Sequence, residues 1–497
     1  MGLFTSIPVK ALLGLGFLSL LTGCTGDVVD LDSPAHQQLL ENDRLEQIQY
    51  EGQMIRLDLT TALDRAVEMN LDARVAALDM VVKDGNLTMK ELEVLPQVKS
   101  SRTTMIRSDL GASSSRSIQS GLQSLEPSQS SDRRRMVGEM QVSWNLLDAG
   151  LALAETYRLQ DESAITRERY VKVVQNIERD VYAAYWRAWE YQQTKTQTAN
   201  IIASSNRQIE NLSKAIDKNL LSSDEGSQKI SELNDRQKTL REMDQILSSA
   251  DIELKALLSY PQSVTLELKA PPSVRSDIQA LLAGKISNQE WSALKSRPEL
   301  REEVLNKNIA IKSVREEIFK TFPGAQLLFS YNNDSNSFLQ EKQWSNFSFG
   351  LTQNILNVLT LPMRFQAAKD KEKQADAHRQ ALEAALLAQV HLGRQSLEQS
   401  LILCRDAERS AVNVANRAYA KTQKSKTGFA AGGEAVLAKL DSQIGTMARA
   451  AACTNMHDSY AALINSLGRH IDHQTLMVAE MNASPVQLPQ SGGQHGQ

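Results

Sequence analysis

Residues 170–191 read YVKVVQNIERDVYAAYWRAWEY, and this stretch decides the fold. Its apolar residues recur at alternating spacings of four and three, which is the seam of a coiled coil. The same spacing continues from residue 170 to residue 216, and these 47 residues make more than six heptads. So long a seam predicts a helix that packs lengthwise against other helices rather than one lying on a globular core. The seam consists of Tyr170, Val174, Ile177, Val181, Ala184, Ala188, Tyr191, Lys195, Thr198, Ile202, Ser205, Ile209, Leu212 and Ile216.

A second seam follows the first at a distance of 209 residues. It has the same register and is dominated by small side chains, which permit close approach of helices. Helix-like segments ending at Pro96 and Pro323 also match, at an offset of 227 residues. The chain therefore reads as one structural unit that occurs twice, in residues 56–270 and 271–475. The second seam consists of Leu386, Val390, Gly393, Leu397, Ser400, Cys404, Ala407, Ala411, Val414 and Ala418.

Each copy contains two segments in which apolar and polar residues alternate. In the first copy these are residues 140–146 and a weaker segment after Pro96; in the second they are residues 325–332 and 347–352. A period of two places such residues on opposite faces of a strand. We therefore expect one strand pair in each copy. The pairs are predicted at about 97–147 and at about 324–356.

Both long helical stretches are interrupted near one point. Proline is absent from residues 128–260 and 363–484, so that helices can run far. Glycine, asparagine and serine gather at 218–226, and glycine at 426–434, and such residues end helices. Because a further helical stretch follows each interruption, each copy is predicted to form a helical hairpin. The hairpins are predicted at about 149–260 and about 358–467.

The N-terminus resembles a bacterial lipoprotein signal. Lys10 is the only charged residue in residues 1–23, and the apolar run at 11–21 is too short to span a bilayer. The run ends in Leu-Thr-Gly-Cys24, which resembles a lipobox, in which the cysteine receives a lipid. The resemblance implies a signal peptide at 1–23 and a lipid anchor at Cys24, carrying acyl chains such as palmitate, in the outer membrane. The alternative is a chance cysteine after an ordinary signal.

Composition excludes several classes of protein. With 41% hydrophobic and 23% charged residues, the chain is not a disordered acidic or basic tail. The mean hydropathy of -0.35 excludes a polytopic helical membrane protein. A net charge of -4 gives no electrostatic case for nucleic acid. Since the sequence contains no nucleophile elbow, Walker loop or HExxH motif, we expect neither an enzyme nor a bound metal or cofactor.

The order of these elements resembles the TolC family of outer-membrane factors, over residues from about 55 to 470. Prolines stand at the two helix-to-strand junctions, and short motifs close to those of the family occur in the expected order. The resembling residues are Pro96 and Pro323, Arg297-Pro298-Glu299-Leu300, Leu440-Asp441-Ser442-Gln443, and Val142-Ser-Trp-Asn-Leu-Leu-Asp-Ala-Gly150.

The resemblance implies a mainly α fold with a small β part, the TolC-like α/β barrel. In that architecture the chain is a homotrimer, and the four strands per protomer form one 12-stranded transmembrane barrel. The coiled-coil hairpins then continue as an α-barrel that extends from the outer membrane into the periplasm. Such a protein is the exit duct of a tripartite efflux pump or of a type I secretion system, and it uses no cofactor. Its partners are outer-membrane lipid, a periplasmic adaptor (membrane fusion) protein and an inner-membrane transporter.

A different class of protein also accounts for part of the sequence. A lipid-anchored periplasmic coiled-coil protein without a pore, acting as a structural protein or adaptor, would explain the heptads and the lipobox. It leaves the repeated strand pairs unexplained.

The hairpin tips contain the candidate functional residues. The resemblance implies acidic side chains at a periplasmic gate, although each is also explained as an acid at a helix start, where the helix dipole favours it. Leu220, Leu221, Gly428 and Phe429 are candidates for adaptor contact, with packing inside the hairpin as the rival role. The candidate gate residues are Glu434, Asp441, Asp224 and Glu225.

Cys404 and Cys453 lie on the two arms of the second hairpin, at similar distances from its tip. They are candidates for a disulfide, and two buried thiols are the equal alternative. The remaining segments are predicted to be a linker at 24–55 and a flexible C-terminal tail at 476–497.

Overall fold

The computed structural model describes residues 52–124, 126–424 and 429–471, together with 37–38, 40–42, 44 and 50. The predicted signal peptide, Cys24, Gly428 and the C-terminal tail lie outside the described residues. The chain divides into two compact units. The smaller comprises Met1–Arg56 and Tyr260–Glu267, and the larger comprises Leu57–Ser259 and Leu268–Gln497.

Helices dominate the described residues. Most belong to four long segments, two in each copy of the repeat. The helices are α1 (Leu59–Met69), α2 (Leu71–Leu92), α3 (Leu146–Asp217), α4 (Ser223–Leu257), α5 (Arg275–Ala283), α6 (Ile286–Ser296), α7 (Pro298–Phe319), α8 (Ile355–Lys424) and α9 (Phe429–Ser466). The strands are β1 (Met54–Leu57), β2 (Gln97–Ile106), β3 (Ala112–Ser113), β4 (Ser128–Gln129), β5 (Arg134–Asn145), β6 (Thr265–Leu268), β7 (Gly324–Asp334) and β8 (Gln343–Thr352).

No helix among the described residues combines the length and the apolar character needed to cross a membrane.

β1 and β6 form a two-stranded sheet, and most of their residues belong to the smaller unit. The Thr265 amide donates to the Gln53 carbonyl at 3.0 Å, and Arg56 Nε donates to Glu267 Oε2 at 2.7 Å. The Tyr50 ring contacts the Tyr260 ring edge to face. The sequence did not predict this sheet, because four-residue strands are too short to show a period.

In the larger unit, four antiparallel strands form one sheet in the order β2-β5-β7-β8. The two strand pairs of the repeat therefore share one sheet, joined through β5 and β7. The register places Val98, Val142, Phe329 and Phe347 in one row across it.

Each strand pair leads directly into a long helix. β5 ends at Asn145, whose side-chain oxygen accepts from the Leu147 amide at 3.0 Å and so caps α3. Asn354, its counterpart 209 residues later, accepts from the Leu356 amide at 3.0 Å at the start of α8. The same capping residue thus begins the same helix in both copies.

The long helices pack as the seam predicts. α3 has 72 residues and α8 has 70, so that α3 rises about 108 Å. Seam residues in the middle of both helices are fully buried, among them Val181, Ala188, Val390 and Leu397. Lys195 is exposed, because its charge keeps it in water although it stands in the register.

Candidate functional site

The two faces of the four-stranded sheet differ in chemistry. One face, called here the apolar face, carries aromatic and aliphatic side chains that are largely exposed, as Phe347 is at 71%. On the opposite, polar face, Ser330, Asn332 and Asp334 of β7 are buried. In a sheet of a water-soluble protein the apolar side chains are buried and the polar ones are exposed. The opposite arrangement seen here suits contact with hydrocarbon on the apolar side. The apolar face consists of Val98, Met140, Val142, Trp144, Leu327, Phe329, Tyr331, Phe347, Phe349 and Leu351.

Polar atoms of the aromatic residues on this face are satisfied. Trp144 Nε1 donates to the Val94 carbonyl at 3.1 Å, and the Tyr331 hydroxyl donates to Gln343 Oε1 at 2.8 Å. Aromatic rings with one polar end are suited to the two borders of an apolar layer.

On the polar face one ion pair joins β5 to β7. Arg135 Nη1 lies 3.2 Å from Asp334 Oδ2, and the Asp334 carboxylate is buried. The loops at this end of the sheet are also joined, because Asp132 Oδ1 accepts from the Ser337 hydroxyl at 2.7 Å. Both contacts link the first copy of the repeat to the second.

The first hairpin tip closes through a left-handed residue. Asn219 has φ 55° and follows α3, and the Leu220 amide then donates to the Ala215 carbonyl at 2.8 Å. These features form a Schellman motif, in which asparagine takes the place usually held by glycine. The tip turns within five residues, from Asp217 at the end of α3 to Ser223 at the start of α4.

The two candidate contact residues at this tip differ in exposure. Leu220 is 72% exposed, whereas Leu221 is half-buried and packs toward the core of the hairpins. A Cβ added to Gly226 would lie 2.5 Å from Ile216 Cδ1, so the two arms approach as closely here as glycine permits. Leu220 is therefore available to a partner, and Leu221 holds the tip together.

The candidate acids of the first tip lie in the first turn of α4. Glu225 Oε1 accepts from Lys229 Nζ at 2.9 Å, and the Glu225 amide donates to Ser222 Oγ. Asp224 is exposed. Both carboxylates stand where the helix dipole favours negative charge.

The candidate acids of the second tip lie in α9. Phe429 begins this helix, so that the Gly432-Gly433 pair falls inside it rather than in the interruption that we expected at 426–434. Glycine inside a helix costs only about 1 kcal/mol relative to alanine, so two glycines do not end a helix of 38 residues. Glu434 is exposed and forms no ion pair within the described residues, whereas Asp441 Oδ1 accepts from Arg236 Nε of α4 at 2.7 Å.

An apolar core joins the hairpins behind the tips. It combines side chains of α3, α4 and α9, with Leu233, Leu240 and Met447 fully buried. Leu233, Leu240, Leu247 and Leu254 recur every seven residues in α4, and this seam was not among our predictions. Deeper in this region Gln443 Nε2, from the Leu-Asp-Ser-Gln motif, donates to Thr198 Oγ1 at 2.8 Å.

A buried ion pair links the two copies along α3 and α9. Arg449 Nη2 lies 2.9 Å from Glu190 Oε2, and the Glu190 carboxylate is 5% exposed. Burial raises the pKa of Glu190, and the Arg449 guanidinium opposes that rise. The pair fixes the two helices in one register.

The Arg-Pro-Glu-Leu motif begins α7 and connects it to other helices. Arg297 is buried and donates through Nη1 to Gln389 Oε1 at 2.7 Å, while Pro298 occupies the first helical position. Glu299 Oε1 accepts from Lys172 Nζ of α3 at 2.8 Å. The motif therefore has a structural role at the junction of α3, α7 and α8.

Cys404 and Cys453 form a disulfide between α8 and α9, with 2.08 Å between the sulfur atoms. Glu408 lies nearby, and these three residues are the one group of metal-ligating side chains found among the described residues. Because both sulfur atoms are in the disulfide, the group offers no thiolate to a metal.

No protein-family model matches the chain, and no curated protein matches it either. Several solved structures match the chain in fold. The open state of the MtrE outer-membrane channel of Neisseria gonorrhoeae is 14% identical with a TM-score of 0.60, and the alignment covers 83% of this chain and 89% of that one. The CmeC outer-membrane channel of Campylobacter jejuni is 10% identical with a TM-score of 0.63, covering 86% and 89%. The outer-membrane protein VceC of Vibrio cholerae is 12% identical with a TM-score of 0.56, covering 83% and 97%.

In this chain the fold consists of the four-stranded sheet and the two long helical hairpins. The fold class predicted from the sequence is therefore confirmed: the chain has the TolC-like α/β channel fold.

Proposed function

We propose that this chain is an outer-membrane factor of the TolC family, the passive exit duct of a tripartite efflux pump or a type I secretion system. The observation that supports this most is the sheet: its apolar face is exposed, its polar face buries Ser330, Asn332 and Asp334 of β7, and its strands continue directly into two long helical hairpins. Such a sheet suits lipid on one side and a water-filled lumen on the other.

The open edges of the sheet argue for a homotrimer. Within the described residues β2 and β8 each pair with one neighbour only, so each leaves a row of backbone groups unpaired. Unpaired groups cannot remain in hydrocarbon, and four strands cannot close a barrel alone. Three copies supply 12 strands, with β8 of one protomer beside β2 of the next.

The helical hairpins would cross the periplasm. α3 rises about 108 Å, which is far more than a compact domain needs. The tips are then the docking end for a periplasmic adaptor and an inner-membrane transporter. Leu220, Gly428 and Phe429 are the contact candidates, and Leu221, which packs toward the hairpin core, would support them from behind. Cys24 would anchor the chain to the outer membrane through lipid.

The gate would lie at the same end. A threefold axis turns each tip carboxylate into a ring of three, and such rings control the passage of ions. Glu434 is the first candidate because it is exposed and forms no ion pair among the described residues. Asp441, Asp224 and Glu225 are the others. The duct itself would be passive, because the inner-membrane transporter would supply the energy that moves the substrate.

The experiment that tests this function uses the two faces of β8. The full chain is expressed, extracted from outer membranes and examined for a detergent-resistant, heat-modifiable trimer and for single-channel conductance in planar bilayers. Phe347→Lys places a charge on the apolar face and should abolish both. Asn346→Lys, its neighbour on the polar face, should retain the trimer and alter the conductance.

Equal tolerance of both substitutions would overturn the proposed membrane face. A wild-type chain that is attached to the periplasmic surface of the outer membrane and shows no conductance would instead support the alternative, a structural coiled-coil protein without a pore.

A further inference from the structure

Two arginines stand on the apolar face of the sheet, at the end away from the long helices. Arg102 of β2 lies opposite Gly138, and Arg134 of β5 lies opposite Ile106. Arg102 is an even number of residues from Val98 on β2, and Arg134 is an even number of residues from Val142 on β5. Both arginines therefore lie on the same face as these apolar side chains. Arg102 is four residues beyond Val98, or about 14 Å along the strand.

These two arginines have no acidic partner. Arg102 Nε donates to the Met136 thioether, and the exposed Arg134 side chain has no hydrogen bond or ion pair to any part of the chain that the structure describes. The adjacent Arg135 differs: it points to the polar face and pairs with the buried Asp334. Arg135 is therefore neutralised within the protein, whereas the charges of Arg102 and Arg134 are left for something outside it.

The surroundings leave the arginines accessible. A Cβ added to Gly138, directly opposite Arg102, would meet only the Asn333 carbonyl, at 3.9 Å. The acidic residue of β5, Glu139, lies on the polar face with the parity of Arg135. No carboxylate on the apolar side therefore competes for the two guanidinium groups within the described strands.

This inference rests on the proposed function, which sets the direction of the sheet. If the long helices extend into the periplasm, the loops between paired strands face the outside. Arg102 then lies at the outer end of the apolar rows, and Arg134 lies four residues farther out, about 14 Å along the strands. The molecules at the outer border of the lipid layer present phosphate groups above acyl chains. Arginine binds phosphate through two parallel hydrogen bonds, and it does so most strongly at a partly dehydrated border.

We propose that Arg102 and Arg134 bind the phosphate groups of outer-leaflet lipid, while the apolar row of Val98, Val142 and Phe329 contacts its acyl chains. The arrangement would seat a phosphorylated lipid against the β2–β5 part of the sheet.

The test is native mass spectrometry of the detergent-solubilised full chain with three probes: bisphosphorylated lipid A, its dephosphorylated form and inorganic phosphate. We expect retention of the bisphosphorylated lipid, and a loss of affinity of about fivefold for each of Arg102→Gln and Arg134→Gln. Lys99→Gln removes a charge from the polar face of the same strand and should leave the affinity unchanged.

Equal retention of the two lipids, or an equal loss in Lys99→Gln, would overturn the role of phosphate recognition. Inorganic phosphate that binds as tightly as the lipid would overturn the assignment to lipid. Trimer formation and conductance are measured on the same preparations, so that a chain that forms no pore counts against the proposed function, and a conducting trimer with unchanged lipid binding counts against this inference alone.

Discussion

Arg236 of α4 and Asp441 of α9 form an ion pair, with 2.7 Å between Nε and Oδ1. It joins the returning arm of the first hairpin to the returning arm of the second. Both side chains are about half exposed, so the pair adds little to global stability, but it is a direct polar link between the hairpins near their tips.

We expect Arg236→Gln to loosen the tip end of the hairpins and to increase the mean single-channel conductance, with no measurable change in the unfolding temperature. Lys238→Gln is the matched control, because Lys238 is exposed two residues farther along the same helix. A conductance equal in both variants would show that the link does not restrain the tip.

In the proposed trimer the three copies of Glu434 would form a ring that attracts cations, so Glu434→Ala should reduce the preference for cations and weaken block by divalent cations. Reversal potentials in a salt gradient measure this preference. Glu398→Ala, an exposed acid in α8, serves as the control. An unchanged reversal potential would remove Glu434 from the gate.

Gly226→Ala should destabilise the first tip. The added methyl group would lie 2.5 Å from Ile216 Cδ1 and 3.2 Å from Leu221 Cδ2, and such overpacking costs about 1–3 kcal/mol. Gly150→Ala is the control, since nothing lies within 4 Å of its added Cβ and the residue is helical, so that stability should hold or rise slightly. Chemical unfolding and protease cleavage near residue 220 measure the difference, and equal stability of the two variants would contradict the packing argument.

Removal of the disulfide should lower stability without changing the fold. The cysteines are 49 residues apart, and the loss of loop-closure entropy predicts about 4 kcal/mol. Cys404→Ala/Cys453→Ala is compared with wild type by denaturant unfolding, and intact-mass analysis should show no alkylation of either cysteine before reduction. Alkylation of both in unreduced protein would mean that they are two thiols.

The sequence predicts the parts of this fold that have a local period. The seam around Val181 and Val390 follows from spacings of three and four, and the strands follow from a spacing of two. Contacts between the copies do not follow. The Glu190–Arg449 pair joins residues 259 positions apart, and it depends on which long helices become neighbours. No local period contains that information.

The same limit decides which features of the hairpin tips the sequence predicts. The interruption at 218–226 is visible because asparagine and serine end helices, and the structure turns there. The partner of Asp441 is not visible, since Arg236 belongs to the other copy of the repeat. The short hairpin of β3 and β4, in the loop between β2 and β5, was also not predicted, because strands of two residues are too short to show a period.

The adjacent residues His457 and Asp458 should have opposite effects on stability as pH changes. Burial raises the pKa of Asp458 to about 6, with Arg187 opposing the rise, and burial lowers the pKa of His457, which stacks on Trp186, to about 3. Between about pH 4 and 6 the folded chain binds a proton at Asp458 that the unfolded chain lacks, so this group makes stability fall as pH rises. Over the same range the unfolded chain binds a proton at His457 that the folded chain lacks, so this group makes stability fall as pH decreases.

The two effects nearly cancel in the wild type, and single substitutions should separate them. Asp458→Asn should gain about 1 kcal/mol at pH 7.5, after allowance for a side chain that is 36% exposed, and should lose that gain by pH 4. His457→Gln loses the ring stacking at every pH, but its deficit relative to wild type should shrink as pH falls from 6.5 toward 4. Differences in unfolding temperature between each variant and wild type, measured from pH 4 to 8 in detergent, check both slopes. Differences that stay constant with pH would mean that neither group titrates differently in the folded chain, and the buried pair would then have no part in its acid response.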